Sequence, residues 1–295
     1  MEKEEKKIIE AHKSRLRMRA IFRNAMPFVG MFLLVLTILS AVFAPALAPF
    51  DPTKQSLRER LRPPVWEDGG SWKHPIGTDY LGRDILSRIL YGSRVSLMVG
   101  FFGIMIASAL GVTFGTISGY FGGKTDLFMM RGMEIFLAIP RIIFAVMMVV
   151  LFGGGVRNMI LFMGISSWTW LARVVRSRVL SIKTEDFVKA AKALGASDRR
   201  IMFSHILPNI VNVVIVIGVM QFAYIIILES TLSFLGITGF DLSWGLDVSM
   251  GRNYITFAWW PSTMPGAAIF ITVTGIMMFG YWLRDVFDPH VKFSQ

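Results

Sequence analysis

The stretch KTEDFVKAAKALGASDRRIMFSHILPN, residues Lys183–Asn209, is a charged island between two long apolar runs. Thr184 is a typical N-cap residue, and the two acidic residues after it suit the first turn of a helix. Gly195 is placed to end that helix in the left-handed conformation, and Ser197 is placed to begin a second, short helix. We expect Pro208 to interrupt this second helix. The stretch therefore predicts a compact helix–glycine–helix.

One face of the first predicted helix carries small and apolar side chains. Phe187, Ala191 and Leu194 are spaced i, i+4 and i+7, and Ala190 lies beside them. Such a face suits docking into a groove on another protein. The residues expected to form this docking element are Glu185, Asp186, Phe187, Ala190, Ala191, Leu194, Gly195 and Pro208.

The composition is that of a membrane protein. Of the 295 residues, 54% are hydrophobic and only 17% are charged, and the mean hydropathy is +0.55. A soluble domain of ordinary composition is less apolar. Uncharged runs of about 20 residues, long enough to cross a bilayer as a helix, recur along the chain. We predict an all-α membrane protein with six transmembrane helices, at residues 26–48, 96–120, 130–153, 157–176, 209–233 and 263–284.

The net charge of +11 indicates topology in such a protein, because Lys and Arg collect on the cytoplasmic side. With six spans and the N-terminus inside, 20 basic residues are cytoplasmic and 10 are external. We therefore expect both termini in the cytoplasm and no nucleic-acid partner. The expected organisation is a cytoplasmic amphipathic segment at 1–25, the first span with an extended extracytoplasmic segment at 26–95, a transmembrane core at 96–285 with a cytoplasmic loop at 177–208, and a cytoplasmic tail at 286–295.

The segment His74–Leu97, HPIGTDYLGRDILSRILYGSRVSL, predicts an interfacial helix that leads into the second span. Thr78 or Asp79 is expected to cap this helix, whose apolar residues recur along one stripe. Within the second span, glycines at i, i+4 and i+8 predict close packing against another helix. These glycines are Gly111, Gly115 and Gly119.

The sequence predicts no catalytic or metal site. The chain has no cysteine, and its four histidines have no paired spacing. The segment Gly119–Thr125, GYFGGKT, approaches a phosphate-binding loop, but its first glycine is one residue too close and no predicted strand precedes it. We therefore expect no catalytic residue, cofactor or metal here, and no enzymatic activity of this chain on its own.

Charged residues inside membrane spans are costly and usually functional. Glu134 and Arg141 are seven residues apart in the third predicted span, hence on one face of a helix and about 10 Å apart along it. Glu229 closes the fifth span near the outer face. For all three, a structural role and a place on a translocation pathway stay open. The aromatic cluster before the sixth span fits an interfacial belt or a contact with a protein that delivers substrate: Phe257, Trp259 and Trp260.

The charged stretch resembles the coupling loop of bacterial ABC-importer permeases. The family pattern is Glu-Ala-Ala, three residues, Gly, nine residues and Ile-x-Leu-Pro. In this chain Lys189 replaces the leading Glu, and His205 stands in the place of the Ile. The resemblance implies that the loop at 177–208 couples the chain to an ATPase. The residues that match at the family's spacing are Ala190, Ala191, Gly195, Leu207 and Pro208.

Further motifs resemble the dipeptide/oligopeptide/nickel group of permeases, from about residue 27 to the end of the chain. They are GTDYLGRD at 77–84, LESTLSFLG at 228–236 and LRDVFDP at 283–289. The single extended outer segment after the first span is similar to that of the C-type subunit. The resemblance implies the six-helix bundle of a type I ABC-importer permease.

The same resemblance implies partners at the inner membrane of a prokaryote: a second, homologous permease subunit, two ATPase subunits that bind ATP, and an extracytoplasmic solute-binding protein. Closure of the ATPases would push on the helix around Ala190–Gly195 and rock the bundles from inward-open to outward-open. Di- and oligopeptides are the expected cargo, with oligosaccharides or nickel as alternatives. Two other classes stay open, namely a membrane scaffold and a secondary transporter coupled to ions through Glu134 or Glu229.

Overall fold

The computed structural model describes residues 26–287 and builds this part of the chain mainly from helices. The predicted segment at 1–25 and all but two residues of the predicted tail at 286–295 lie outside the described residues. In chain order the helices are α1 (Met26–Val42), α2 (Ala44–Leu47), α3 (Ile85–Phe121), α4 (Gly123–Ala138), α5 (Arg141–Phe152), α6 (Val156–Ile182), α7 (Asp186–Ala193), α8 (Asp198–Ile201), α9 (Leu207–Phe234), α10 (Trp244–Gly251) and α11 (Trp260–Phe287).

Within residues 26–287, three helices are each long and apolar enough to cross a membrane. They are α3, α11 and the continuous helix Asp198–Phe234, which includes α8 and α9. Helices α4 and α5 meet the same criteria only as a pair. Helix α1 is a shorter apolar helix, and α6, with 27 residues, is about 40 Å long at 1.5 Å per residue. Each of the six predicted spans overlaps one of these segments, and the all-α prediction is confirmed.

The centre of the bundle is the close packing of α3 on α6. A Cβ placed on Gly115 would lie only 2.5 Å from the carbonyl oxygen of Ala172, so the two backbones approach as closely as small residues permit. The predicted glycine face is therefore confirmed. Because the facing residues keep a constant sequence offset, the two helices run in the same direction. The facing pairs are Gly103 with Met163, Gly111 with Leu171, Gly115 with Val175, and Gly119 with Val179.

The third predicted span is wrong as a continuous helix, because α4 and α5 meet at a bend of 85°. Pro140 lacks a backbone N–H, and its ring conflicts with the carbonyl four residues earlier in a helix. Ile139 accordingly adopts an extended conformation, with φ −88° and ψ 120°, as residues before proline prefer. Glu134 and Arg141 therefore lie on two different helices and not on one helical face as predicted.

The predicted cap before the second span is also wrong. Helix α3 runs without interruption for 37 residues, so the predicted interfacial helix and the span are one helix. Its N-cap is Asp84, whose carboxylate accepts the backbone N–H of Ser87 at 2.7 Å. The two residues predicted as caps are used within the outer segment. The Thr78 hydroxyl accepts a backbone N–H at 2.9 Å, and the Asp79 carboxylate pairs with Arg83 at 2.6 Å.

A buried arginine joins the outer segment to the bundle. Arg88, at 1% exposure, donates from Nε to the Asp247 carboxylate at 2.7 Å. Its other nitrogens donate to the carbonyls of Pro52 at 3.0 Å and Asp241 at 2.9 Å. Burial of a charge is tolerated when an opposite charge and further hydrogen bonds compensate for the lost water. The network therefore fixes the outer segment against α3 and α10.

The predicted aromatic belt is divided between two roles. Trp260 is buried and donates from its indole to the carbonyl of Thr78 at 3.1 Å, and Trp259 donates to the Glu67 carboxylate at 2.7 Å. These two tryptophans fasten the outer segment to α11, which the belt interpretation did not anticipate. Phe257 is 67% exposed and is the member of the cluster that still fits an interfacial position.

Candidate functional site

The first helix of the charged stretch, α7, begins one residue later than predicted. Glu185 occupies the N-cap position without a side-chain capping bond, and the helix starts at Asp186. Thr184, the predicted cap, instead donates from Oγ1 to the carbonyl of Ser181 at 2.7 Å. The cap prediction is wrong because α6 extends to Ile182 and Thr184 completes its last turn.

The end of α7 follows the prediction. Gly195 has φ +81°, its N–H donates to the carbonyl of Lys192 at 3.0 Å, and the N–H of Ala196 donates to that of Ala191 at 3.1 Å. This pair of bonds closes a helix around a left-handed glycine. No atom lies within 4 Å of the place where a Cβ would stand, so the backbone angle alone requires glycine. Ser197 caps α8 with its hydroxyl, also as predicted.

Helix α7 has one side on the bundle and one side open. Val188 is 3% exposed and packs in a cluster with Ile201 and Ile206. On the other side, Phe187 is 44% exposed and Leu194 is 88% exposed. The sequence predicted the open face but not the buried Val188. The available signal was its apolar side chain, which directly follows Phe187 and so lies outside the predicted face. The structure thus holds α7 mainly by one buried side chain. The predicted docking face is largely open, although the Phe187 ring lies near that of His205, with 6.4 Å between the ring centres.

Polar contacts support the base of α7. The Tyr120 hydroxyl at the end of α3 donates to Asp198 Oδ1 at 2.6 Å. Lys183, after α6, donates to the carbonyl of Tyr120, and its ammonium lies 5.6 Å from the centre of that ring. Arg176 on α6 forms an ion pair with Asp126 on α4 at 2.5 Å. The ends of α3, α4, α6 and α8 are therefore fixed to one another beside α7. These contacts were not predicted, because they join residues far apart in sequence.

Pro208 does not interrupt the second helix, and that prediction is wrong. Residues Met202–Ile206 form a π-helical turn between α8 and α9, and the helix runs through the proline. In this wider turn the N–H of Leu207 donates to the carbonyl five residues earlier, which relieves the conflict between a proline ring and the preceding turn. The Asn209 side chain donates to the carbonyl of His205 at 2.6 Å, adding a bond at the same turn.

The two charged residues of the third span are not brought together. Glu134 accepts from Arg131 at 3.0 Å on an exposed surface. Arg141, beyond the bend, places its guanidinium carbon 4.9 Å from the ring centre of Tyr224 on α9. A cavity of about 150 Å³ lies beside Arg141. It is lined by Phe136, Leu137, Ile139, Pro140, Arg141, Phe144 and Ser166.

Glu229 lies inside the bundle, with 0% exposure. Its carboxylate accepts hydrogen bonds from the hydroxyls of Ser96 at 2.9 Å, Ser233 at 2.8 Å and Ser243 at 3.0 Å. These serines belong to α3, to α9 and to the loop before α10. The carboxylate therefore joins three elements at the end of the bundle opposite α7.

Residues 111–293 match the family described as binding-protein-dependent transport system inner membrane component. The chain belongs to this family. Residues 14–64 also match the N-terminal transmembrane domain of oligopeptide transport permease C. The resemblance inferred from the coupling loop and the outer motifs is therefore confirmed.

This permease aligns with known relatives over most of its length. It is 35% identical over 265 residues to the di/tripeptide transport system permease protein DppC of Pseudomonas aeruginosa, covering 89% of this chain and 88% of the relative. It is 35% identical to the oligopeptide transport system permease protein OppC of Bacillus subtilis, covering 91% and 87%. Among solved structures, the crystal structure of an amino acid ABC transporter with histidines aligns with a TM-score of 0.52 at 16% identity, covering 67% of this chain and 93% of that one.

The structural alignment is a likeness of fold, and the family match carries the function. This chain is a permease subunit of an ABC importer and a multi-pass integral protein of the inner membrane. A membrane scaffold and an ion-coupled secondary transporter, which the sequence left open, are set aside by membership of this family.

Proposed function

We propose that this permease forms half of the translocation pathway of an importer for di- and oligopeptides and that α7 is its contact with separate ATPase subunits. The observation that carries the proposal is the two-sided environment of α7. Val188 is buried against the bundle, whereas Phe187 and Leu194 are exposed. A short helix that presents apolar side chains with small residues between them suits a groove on a partner protein.

The contacts around α7 can transmit a movement of this helix to the membrane-spanning bundle. A displacement of α7 moves the cluster around Val188 and the Tyr120–Asp198 hydrogen bond with it. Asp198 begins a helix that continues without a break to Phe234. Because that helix is continuous, motion at its cytoplasmic end can reach the Glu229 cluster at its outer end. Closure of the ATPases would thereby rock the bundle from inward-open to outward-open.

The proposal assigns ATP binding to the partner subunits and no cofactor to this chain. The glycine-rich segment Gly119–Thr125 joins α3 to α4, whereas a phosphate-binding loop follows a strand. A second, homologous permease subunit would complete the pathway, and an extracytoplasmic binding protein would deliver the cargo. Peptides are the proposed cargo because the relatives named above are di/tripeptide and oligopeptide permeases.

The proposed orientation places both termini and the loop at 177–208 in the cytoplasm and the outer segment of 26–95 outside. The core at 96–285 then spans the membrane between them. The excess of basic residues on the side of α7 supports this orientation.

The proposal is tested by uptake into liposomes that contain this permease with its candidate partner subunits. Labelled dipeptide should accumulate only when ATP is inside and the binding protein is outside. A liposome set without the ATPases is the control. Uptake driven by an ion gradient without ATP would contradict the mechanism. Accumulation of nickel or an oligosaccharide in place of peptide would contradict the cargo.

A further inference from the structure

Arg141 carries a positive charge that no acid balances within residues 26–287. Glu134, which the sequence placed on the same helical face, pairs with Arg131 at 3.0 Å. The contact found for the Arg141 guanidinium is the face of Tyr224, 4.9 Å from the ring centre. A cation within a membrane span is costly unless it is compensated. An anionic ligand at the bend between α4 and α5 would compensate this charge.

The cavity beside Arg141 limits how much of a ligand can fit there. Its volume is about 150 Å³, whereas pockets that enclose a whole small molecule measure about 300–1,000 Å³. The cavity therefore has room for one end group and the atoms next to it. Its walls are mainly apolar, with Phe136 and Phe144 among them and Ser166 as a polar exception. Apolar neighbours lower the local dielectric constant and so strengthen a charge pair beside them.

We propose that Arg141 binds the C-terminal carboxylate of a peptide during its passage through the permease. This inference rests on the proposed peptide cargo. A guanidinium is a planar fork that pairs with a carboxylate through two parallel hydrogen bonds. The C-terminal carboxylate is the anionic group that every unmodified peptide carries, whatever its side chains. One fixed arginine therefore serves peptides of different sequence.

Tyr224 is the positioning residue of this site. An aromatic ring attracts a guanidinium through its face, so the N–H groups at the edge of the guanidinium stay available for a carboxylate. Because Arg141 is on α5 and Tyr224 is on α9, the contact fixes the arginine across two helices. Rotation of α9 during the transport cycle would shift this contact and release the carboxylate.

The test compares a labelled dipeptide with its C-terminal amide in the reconstituted importer. The variants are Arg141→Gln and, as a matched control, Arg131→Gln, which removes the same charge from an exposed arginine. The binding protein is first titrated with candidate dipeptides and with their amides. A pair is chosen of which the binding protein binds both the free acid and the amide. The binding protein is identical in all samples, so its own preference cancels in the ratio of wild-type to variant uptake.

Arg141→Gln should lower the initial uptake of the free-acid dipeptide about tenfold or more, since a hydrogen bond to a charged group contributes about 1.5–3 kcal/mol. Uptake of the amide should fall clearly less than uptake of the free acid, because a neutral amide accepts a hydrogen bond from the guanidinium but forms no ion pair with it. Arg131→Gln should leave both unchanged. Equal losses for both peptides would overturn the inference and would indicate a structural role or an acid on the neighbouring subunit. No loss for either would overturn it too. If the wild-type importer carries neither peptide, the proposed cargo itself is wrong.

Discussion

Glu229 is the residue whose interpretation changes most between sequence and structure. The sequence left a gate role and a structural role open, because an acid near the end of a span suits both. In the structure the carboxylate is fully buried and accepts from Ser96, Ser233 and Ser243. Its position favours a role in holding the outer ends of α3, α9 and α10 together.

Replacement of Glu229 tests this role. Glu229→Leu should destabilise the purified chain, because buried hydroxyls left without a partner cost about 1–3 kcal/mol. For a chain of this size such a loss lowers the Tm by several degrees. Glu229→Gln retains an acceptor oxygen and should lower the Tm less. Thermal unfolding in detergent measures both. A normal Tm combined with lost uptake would instead assign Glu229 to the gate.

Helices differ in how far their course can be predicted from sequence, and the two prolines illustrate the limit. Pro140 and Pro208 both lack the N–H that a helix needs. The first ends α4 at a bend of 85°, whereas the second is accommodated by a π-helical turn and the Asn209 side chain. Both outcomes satisfy the local chemistry of proline. The choice between them depends on how the surrounding helices pack, and the sequence pattern does not contain that information.

The α3–α6 contact gives a prediction at the scale of the element. Gly115→Ala places a methyl group 2.5 Å from the Ala172 carbonyl oxygen, so the helices must separate and the Tm should fall by several degrees. Gly218→Ala on α9 is the matched control, because no atom lies within 4 Å of its Cβ position. It should leave the Tm unchanged or slightly raised. Equal Tm values for the two variants would contradict close packing at this contact.

For the whole molecule, the sequence predicted those features that depend on a repeated pattern or on a single distinctive residue. The long apolar runs predicted the spans, the glycines of α3 predicted its packing face, and Gly195 predicted the end of α7. Contacts that depend on the fold were not predictable. Val188 has the same hydrophobicity as many exposed residues, and the Tyr120–Asp198 bond joins two helices whose proximity no local pattern encodes.

The proposed topology is tested by labelling. The chain has no native cysteine, so single cysteines report their own position. Cysteines at Lys54, Glu67 and Asp241 should react with an impermeant thiol reagent in intact cells. Cysteines at Lys13, Asp198 and Ser294 should react only after the membrane is opened. Reaction at 198 in intact cells would invert the orientation and remove α7 from the cytoplasm.

Coupling through α7 is the central claim, and two substitutions address it, one that strains the backbone and one that enlarges the docking face. Gly195→Val is strained at φ +81°, and Ala191→Trp enlarges a face that must enter a groove. Both should leave the chain inserted in the membrane but separate the ATPases or uncouple ATP hydrolysis from uptake. Normal uptake by both variants would contradict this assignment.

The most direct measurement is the amount of ATPase that co-purifies with Leu194→Asp. Leu194 is 88% exposed at the tip of the proposed docking face, and an aspartate there would be buried without a partner on docking. Leu57→Asp is the matched control, because Leu57 is 72% exposed in the outer segment. The account predicts that Leu194→Asp loses most of the bound ATPase and peptide uptake while Leu57→Asp retains its ATPase. Full ATPase association and normal uptake with Leu194→Asp would contradict it.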